Sequence, residues 1–443
     1  MSEPMSTPHP EPEFAALVAL DWSDEKHCCV LRETGSDRSE YRVLAHTPEA
    51  FAAWARGLYE RFAGRPIAIC LEQSRGAVVY ALSQFSHLVI YPILSTAAAN
   101  YRATFYPSGA KSDSTDTELL FEMLERHRDR LSPLRPDTPE TRKIQLLVEE
   151  RRRLVDERTR WSNQLTDWLK RFFPQALQLV DNIDSPLGCD LLERWPHLDR
   201  LRSNNPSQLA RFFREHGCHS EKKNQERINL IYQAVPAVTD EVLIEVGAAS
   251  VQRNVRVIRE LNLAIQDFDQ RIEAATAAHP ENDLFAHVPG AGPVMRPRLM
   301  AAFGTQRDRY RSAADLQCYS GIAPVLQQSG RSRKVHVRYA CPRFLRQTFI
   351  EFAGHSIPKC QWAKAFYQHK RGQKMNHQKA VRALAFKWIR VLYACWRDRT
   401  PYDDRIYTRS LQKRNSPLSK ILPTGTGWSQ IAGFEKLNQK KLD

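Results

Sequence analysis

The stretch Phe14-Ala15-Ala16-Leu17-Val18-Ala19-Leu20-Asp21 decides how the first third of this 443-residue chain reads. Seven apolar residues closed by an acid have the length of a buried strand and are too few for a helix of ordinary size. Residues 27–31 and 41–44 are further β-rich runs, parted by the turn-like 33–39, so a three-stranded antiparallel meander is predicted. Residues 48–62 then place Phe51, Trp54, Ala55 and Leu58 at helical spacing. Residues 67–71 are a short buried strand that ends at Glu72. A helix at 77–85, a strand at 88–94 and a helix at 115–127 follow, the last announced by the start signal Ser112-Asp113-Ser114. The predicted order is β-β-β-α-β-α-β-α.

Four acids fall at telling places in that order. Asp21 closes the first strand, Glu72 closes the fourth, and Asp113 and Asp116 stand three residues apart at a helix start, facing one way. In a ribonuclease-H-like sheet the first and fourth strands are neighbours, which would set Asp21 beside Glu72 and let the helix close the cluster. Oxygen-only ligands of this kind suit Mg²⁺ or Mn²⁺, and such ions serve phosphoryl transfer. Taken singly, Asp113 and Asp116 would be read as helix-start acids that favour the dipole.

Charge separates the chain into regions. The net charge is +15, yet residues 296–414 alone hold 26 Lys or Arg against 6 Asp or Glu, whereas residues 1–135 hold 14 against 18. A basic surface gathered in one region is the footprint of phosphate-backbone binding. Aromatic residues interleave it (Trp362, Phe366, Tyr367, Phe386, Trp388, Tyr393, Trp396), as stacking platforms for bases would. The longest apolar runs are about seven residues, far below the roughly 20 that a bilayer span needs. The N-terminal residues are acidic and Pro-rich rather than a secretory leader. Nine cysteines without a C-x-x-C pair fit reduced thiols, hence a cytoplasmic protein.

Between the two ends, Pro133, Pro136 and Pro139 mark a linker, and two long helical patterns follow. One carries Ile144, Leu147, Leu154, Trp161, Leu165, Trp168 and Phe172, interrupted by Arg151 and Arg158. The other carries Val251, Ile258, Leu261, Ile265, Phe268, Ile272 and Ala275. Their three- and four-residue steps predict a coiled-coil arm over 138–282, with an inserted helical lobe at 174–240. From 283 the chain reads as mostly helical to 408, with a polar tail over 409–443. The segment Pro289-Gly290-Ala291-Gly292-Pro293 opens one helix, and others are expected at 342–356 and 374–396.

A second signal is Gly321-Ile322-Ala323-Pro324, then Gln328-Ser329-Gly330 followed by Arg331, Arg333, Lys334 and Arg338. A nucleophilic serine needs its proton removed and a surrounding that tolerates a phosphate. The basic residues offer the second requirement, and nothing adjacent in sequence offers the first.

These residues, in this order, resemble the serine/DEDD transposases of bridge-RNA-guided insertion sequences, a family that includes Piv-type DNA invertases. The resemblance rests on Ala19-Leu20-Asp21-Trp22-Ser23, Glu72-Gln73-Ser74-Arg75-Gly76, Lys111-Ser112-Asp113-Ser114-Thr115-Asp116 and the two C-terminal motifs above. It implies an α/β RuvC-like domain over 14–130, a coiled-coil arm, and a basic, mostly α-helical transposase domain over 283–408. It implies that Asp21, Glu72, Asp113 and Asp116 hold Mg²⁺ or Mn²⁺ and that Ser329 attacks DNA through a phosphoserine linkage. It further implies donor and target DNA and a structured guide RNA as partners, and a homodimer assembling into a tetramer. Arg331, Arg333, Lys334, Arg338, Lys374, Lys379 and Arg382 are the expected nucleic-acid contacts. Two other readings suit the same residues: a metal-dependent nuclease or junction resolvase, and a non-catalytic nucleic-acid-binding protein.

Overall fold

The computed structural model describes residues 13–106, 112–330 and 332–416. The chain divides into two compact units, Met1–Pro136 and Asp137–Asp443. Arg331, Lys111 and most of the expected tail lie outside the described residues.

In the first unit, β1 (Ala16–Asp21), β2 (Lys26–Glu33) and β3 (Ser39–Ala45) form the expected antiparallel meander. Helix α1 (Pro48–Arg61) starts at the Thr47 cap and leads to β4 (Ile67–Leu71), which pairs parallel with β1. Helix α2 (Ala77–Ser83) leads to β5 (Leu88–Pro92), parallel to β4. The sheet order is β3-β2-β1-β4-β5, so the first and fourth strands are neighbours as the ribonuclease-H-like reading requires. Two helices follow instead of one: α3 (Ser95–Phe105) and α4 (Asp113–His127). The sequence hides α3 because Ala98 is its one buried residue, while Leu94 before it and Phe105 at its end are exposed.

Side-chain alternation builds a three-layer unit. Ala16, Val18 and Leu20 pack with Phe51, Trp54, Leu58, Val78 and Leu82 on one face of the sheet. Ala19, Ala68, Cys70 and Tyr91 pack with Leu119, Leu120 and Leu124 of α4 on the other.

The second unit is built on two long helices, α5 (Pro139–Phe172) and α11 (Glu241–Ala277). They run antiparallel, joined by rungs: Thr141 to His279 (2.9 Å), Arg151 to Asp269 (2.5 Å) and Arg158 to Asn262 (2.9 Å). Near the far end the Phe172 ring lies against Gly247, where a Cβ would come within 2.5 Å of it. The two arginines that interrupt the heptad pattern therefore bridge the helices. On α5 the seam is fully buried towards its ends, at Thr141, Ile144 and Val148 and again at Leu165, Leu169 and Phe172, whereas α11 also buries Val255, Ile258, Leu261 and Ile265 between them. The expected lobe forms α6 (Ala176–Leu179), α7 (Pro186–Arg194), α8 (Leu198–Arg202), α9 (Pro206–Glu215) and α10 (Glu221–Gln233), whose core takes in Leu165, Leu169 and Phe172 of α5 and Val251, Val255 and Ile258 of α11.

The other end of the arm carries α12 (Asn282–Ala286), α13 (Met295–Phe303) and α14 (Ala313–Tyr319), then a hairpin of β6 (Val325–Ser329) and β7 (Ser332–His336). Helices α15 (Arg343–Ser356), α16 (Gln361–Gly372), α17 (His377–Arg397) and α18 (Asp404–Lys413) complete it. Ile144, Val148 and Ile272 of the arm belong to its core, so the expected arm and C-terminal domain form one unit. Helix α18 crosses the expected tail boundary, with Leu411 buried. Gly290 has φ +88°, and a Cβ there would lie 2.9 Å from the backbone of His355 and Ser356, which explains the glycine before α13. Among the described residues no helix is long and apolar enough to cross a membrane.

Candidate active site

Asp21 ends β1 on the face of Ala19, two residues along. The β1–β4 register pairs Ala19 with Cys70, so Asp21 and Glu72 each stand two residues beyond one matched pair. Both therefore leave the sheet at the same level, on the side covered by α4. The start of α4 is fixed by Ser112, whose side chain accepts from the Thr115 N–H (3.3 Å). This cap begins the helix at Asp113, two residues earlier than the pattern suggests, and places both Asp113 and Asp116 in its first turn.

The four carboxylates are close enough to act on one another. The Asp21 carboxyl is pushed up to about 6 by burial first, then by the charges of Asp116, Asp113 and Glu72. Cys28, paired with Asp21 across β1 and β2, also has its thiol raised by burial and by Asp113 and Asp21. Asp113 is exposed and Glu72 half-buried, whereas Asp116 is buried and ion-paired to Arg102 of α3 (2.5 Å). As the side chains stand, no three His, Cys, Asp or Glu groups among the described residues are gathered tightly enough to hold a metal ion. The donor set still fits a hard divalent cation, because it is oxygen-only and a cation would relieve the mutual repulsion of the acids crowded on Asp21.

Arg102 is the residue of this cluster that sequence reasoning misses. The one signal that could have found it is an arginine in the segment just before the Asp113–Asp116 motif, but that segment lacks the periodicity of a helix.

Ser329 lies on the β6–β7 hairpin. It is the last residue of β6, opposite Ser332, beside Gly330 with φ +54°. The hairpin is exposed along nearly its whole length and lifts Ser329, Arg333 and Lys334 into solvent. Arg338 is half-buried, while Lys374 and Lys379 are exposed. Arg382 is engaged inside the protein: its Nε donates to the Ile322 carbonyl (3.2 Å) and its Nη2 to the Gly321 carbonyl. It fastens the Gly321–Pro324 loop to α17 rather than offering a free charge to nucleic acid.

The interleaved aromatics are also corrected. Trp362, Trp388, Trp396 and Tyr393 are buried in the core, and Phe366, Tyr367 and Phe386 pack against it. The α17 stripe that looked like a stacking surface faces inward, because aromatic residues at helical spacing are what a helix buries.

An α/β unit with this strand order and four converging acids, followed by a basic helical unit, suits an enzyme that acts on nucleic acid. Residues 18–174 match the DEDD_Tnp_IS110 model, described as a transposase, and residues 282–368 match the model of the transposase IS116/IS110/IS902 family. The chain is thus a transposase, an enzyme acting on DNA. It belongs to the IS110/IS116/IS902 family. The chain is 25% identical over 414 residues to the protein ascribed as transposase to the IS117 mini-circle of Streptomyces coelicolor, covering 89% of this chain and 97% of that one. It is 26% identical over 310 residues to an insertion element IS900 protein of Mycobacterium paratuberculosis, covering 68% and 75%. It is 25% identical over 310 residues to an insertion element IS110 protein of Streptomyces coelicolor, covering 69% and 75%.

Proposed function

We propose that this transposase cuts and rejoins DNA with Asp21, Glu72, Asp113 and Asp116 of the first unit holding Mg²⁺ or Mn²⁺ and Ser329 of the second unit as the nucleophile. The observation that carries the metal part is the convergence of Glu72, Asp113 and Asp116 on Asp21. A bound divalent ion would neutralise charge on the phosphate and help deprotonate the attacking hydroxyl. Asp21 and Glu72 would set the position of the site from the rigid sheet, and the α4 acids would close it from the side. Ser329 Oγ would attack phosphorus and release a deoxyribose hydroxyl, with Arg333 and Lys334 of the same hairpin on the phosphate charge. What supports the serine is its exposure on a projecting basic ribbon.

The guide RNA, and a dimer pairing into a tetramer, belong to the same proposal and rest on the sequence resemblance. Sequencing of RNA co-purified with the protein tests the first, and mass photometry with and without DNA tests the second.

A second reading drops the serine: the acids and their ions activate water or a DNA hydroxyl directly, as in RuvC-like nucleases. The acid cluster favours it as much as the first. Two variants separate the readings. Asp21→Asn should abolish cleavage in both. Ser329→Ala should reduce strand exchange on the order of a thousandfold or more if serine is the nucleophile, with loss of any covalent protein–DNA adduct. Unchanged cleavage by Ser329→Ala would leave the second reading.

A further inference from the structure

Helix α3 lies against α4 through three polar or aromatic contacts. Arg102 pairs with Asp116 (2.5 Å), the Tyr106 hydroxyl donates to Glu122 (3.1 Å), and the Tyr101 ring meets His127 edge-on, with centroids 5.8 Å apart. Its apolar footing is otherwise shallow: Ala98 is its one buried residue, with Tyr101 and Tyr106 packed partly against the same core. Arg102 therefore reaches the buried Asp116 from a helix with a shallow apolar footing.

We infer that Arg102 is the resident counter-ion of the acid cluster, a positioning residue that holds Asp116 while no divalent ion is bound and must release it for the ion to enter. This rests on the metal reading above.

The argument is one of competition. A buried carboxylate beside three others needs a positive partner. The Arg102 guanidinium supplies it here, and its Nε is buried without a hydrogen-bond partner. A carboxylate oxygen bonded to a guanidinium is less able to coordinate a cation, since the two charges compete for the same lone pairs. This accounts for three acids that act on Asp21 without being gathered with it into a cage. Entry of the ion would exchange Arg102 for metal at Asp116. Its release would remove the strongest tie between α3 and α4, so α3 would loosen as the site fills.

The test is Mn²⁺ binding to the full chain, read by electron paramagnetic resonance, with amide exchange of residues 95–105 followed in parallel. The wild type should bind Mn²⁺ and exchange faster across α3 when it does. Arg102→Gln should bind Mn²⁺ about three- to tenfold more tightly, as loss of a competing half-buried ion pair implies. Its α3 amides should exchange fast with or without the ion. Arg102→Lys should lie between the two. A merely structural arginine would give the opposite sign, with weaker Mn²⁺ binding after substitution. Weaker or unchanged binding by Arg102→Gln, or α3 exchange indifferent to Mn²⁺ in the wild type, overturns the inference and leaves the metal site standing. Absence of Mn²⁺ binding in both proteins overturns the metal reading and this inference with it.

Discussion

Asp21 is where charge crowding reads most directly as stability. Its carboxyl sits at about 6 in the folded protein, above its ordinary value of 3.8, because burial and the three other acids oppose its ionisation. The folded state therefore binds this proton more tightly than the unfolded chain does. The stabilisation from the proton is complete below the unfolded value and is lost as pH rises through about 6. Asp21→Asn keeps the side chain neutral, so without metal it should melt several degrees higher than wild type at pH 7.5. The gap should close at pH 4, and thermal melts in EDTA at the two values check both halves. Added Mg²⁺ should erase the advantage by stabilising the wild type alone.

The acids were legible in sequence because strand ends and a helix cap are local signals, and alternation then fixes which face a strand-end acid leaves from. Arg102 was not legible, since its helix shows no apolar periodicity. The loop contacts of Arg382 were hidden for a related reason. A cation on a basic helix looks free until the carbonyls of a distant loop are found beside it.

Helices and strands show the same division. The meander and β4 followed from apolar runs with clear ends, and the neighbouring of the first and fourth strands from the ribonuclease-H-like reading. The hairpin β6–β7 did not, because its residues are exposed on both faces and no burial pattern marks a strand pair of that kind. The loop between α13 and α14 was equally opaque, yet it anchors an element. Asp137, buried just before α5, accepts from the N–H groups of Thr305 (2.8 Å) and Gln306 (3.3 Å), from Gln145 (2.8 Å) and from Arg309 (2.5 Å). Burial alone would raise its carboxyl, but Arg309 and these donors outweigh it and hold it below its ordinary value. A depressed carboxylate lends stability that is present above the unfolded value and is lost as pH falls through the folded one. Asp137→Ala leaves Arg309 and the loop amides unpaired, so it should cost about 3–5 kcal/mol in urea unfolding at pH 7. The difference from wild type should shrink towards pH 3.

At the scale of the molecule, charge assigns the work of binding. The basic excess lies in the second unit, while residues 1–135 are net acidic, with 18 acids against 14 basic residues. A cut after residue 282 would slice through a core that includes Ile144, Val148 and Ile272, so the sound dissection is at Pro136. The isolated first unit should bind DNA far more weakly than the full chain. Binding by the full chain should fall roughly 10³-fold between 50 and 200 mM salt if about six phosphates or more are contacted. Fluorescence anisotropy on one duplex measures both. A first unit that binds as tightly as the whole would refute the assignment.

The antiparallel rungs of the arm make it a ruler. The paired positions 141 with 279, 151 with 269 and 158 with 262 share a constant sum, so each residue gained on one helix needs one gained opposite it. Seven residues added to α5 between Arg151 and Arg158, matched by seven in α11 between Asn262 and Asp269, preserve every rung and both end cores. Such a graft moves the lobe outward by about 10 Å at 1.5 Å per residue. The protein should remain folded, with scattering profiles lengthened to match. An unmatched insertion of seven should instead throw the rungs out of step and unfold the arm. Spacing between the lobe and the basic end of the arm is thereby adjustable by length alone, without redesign of either end.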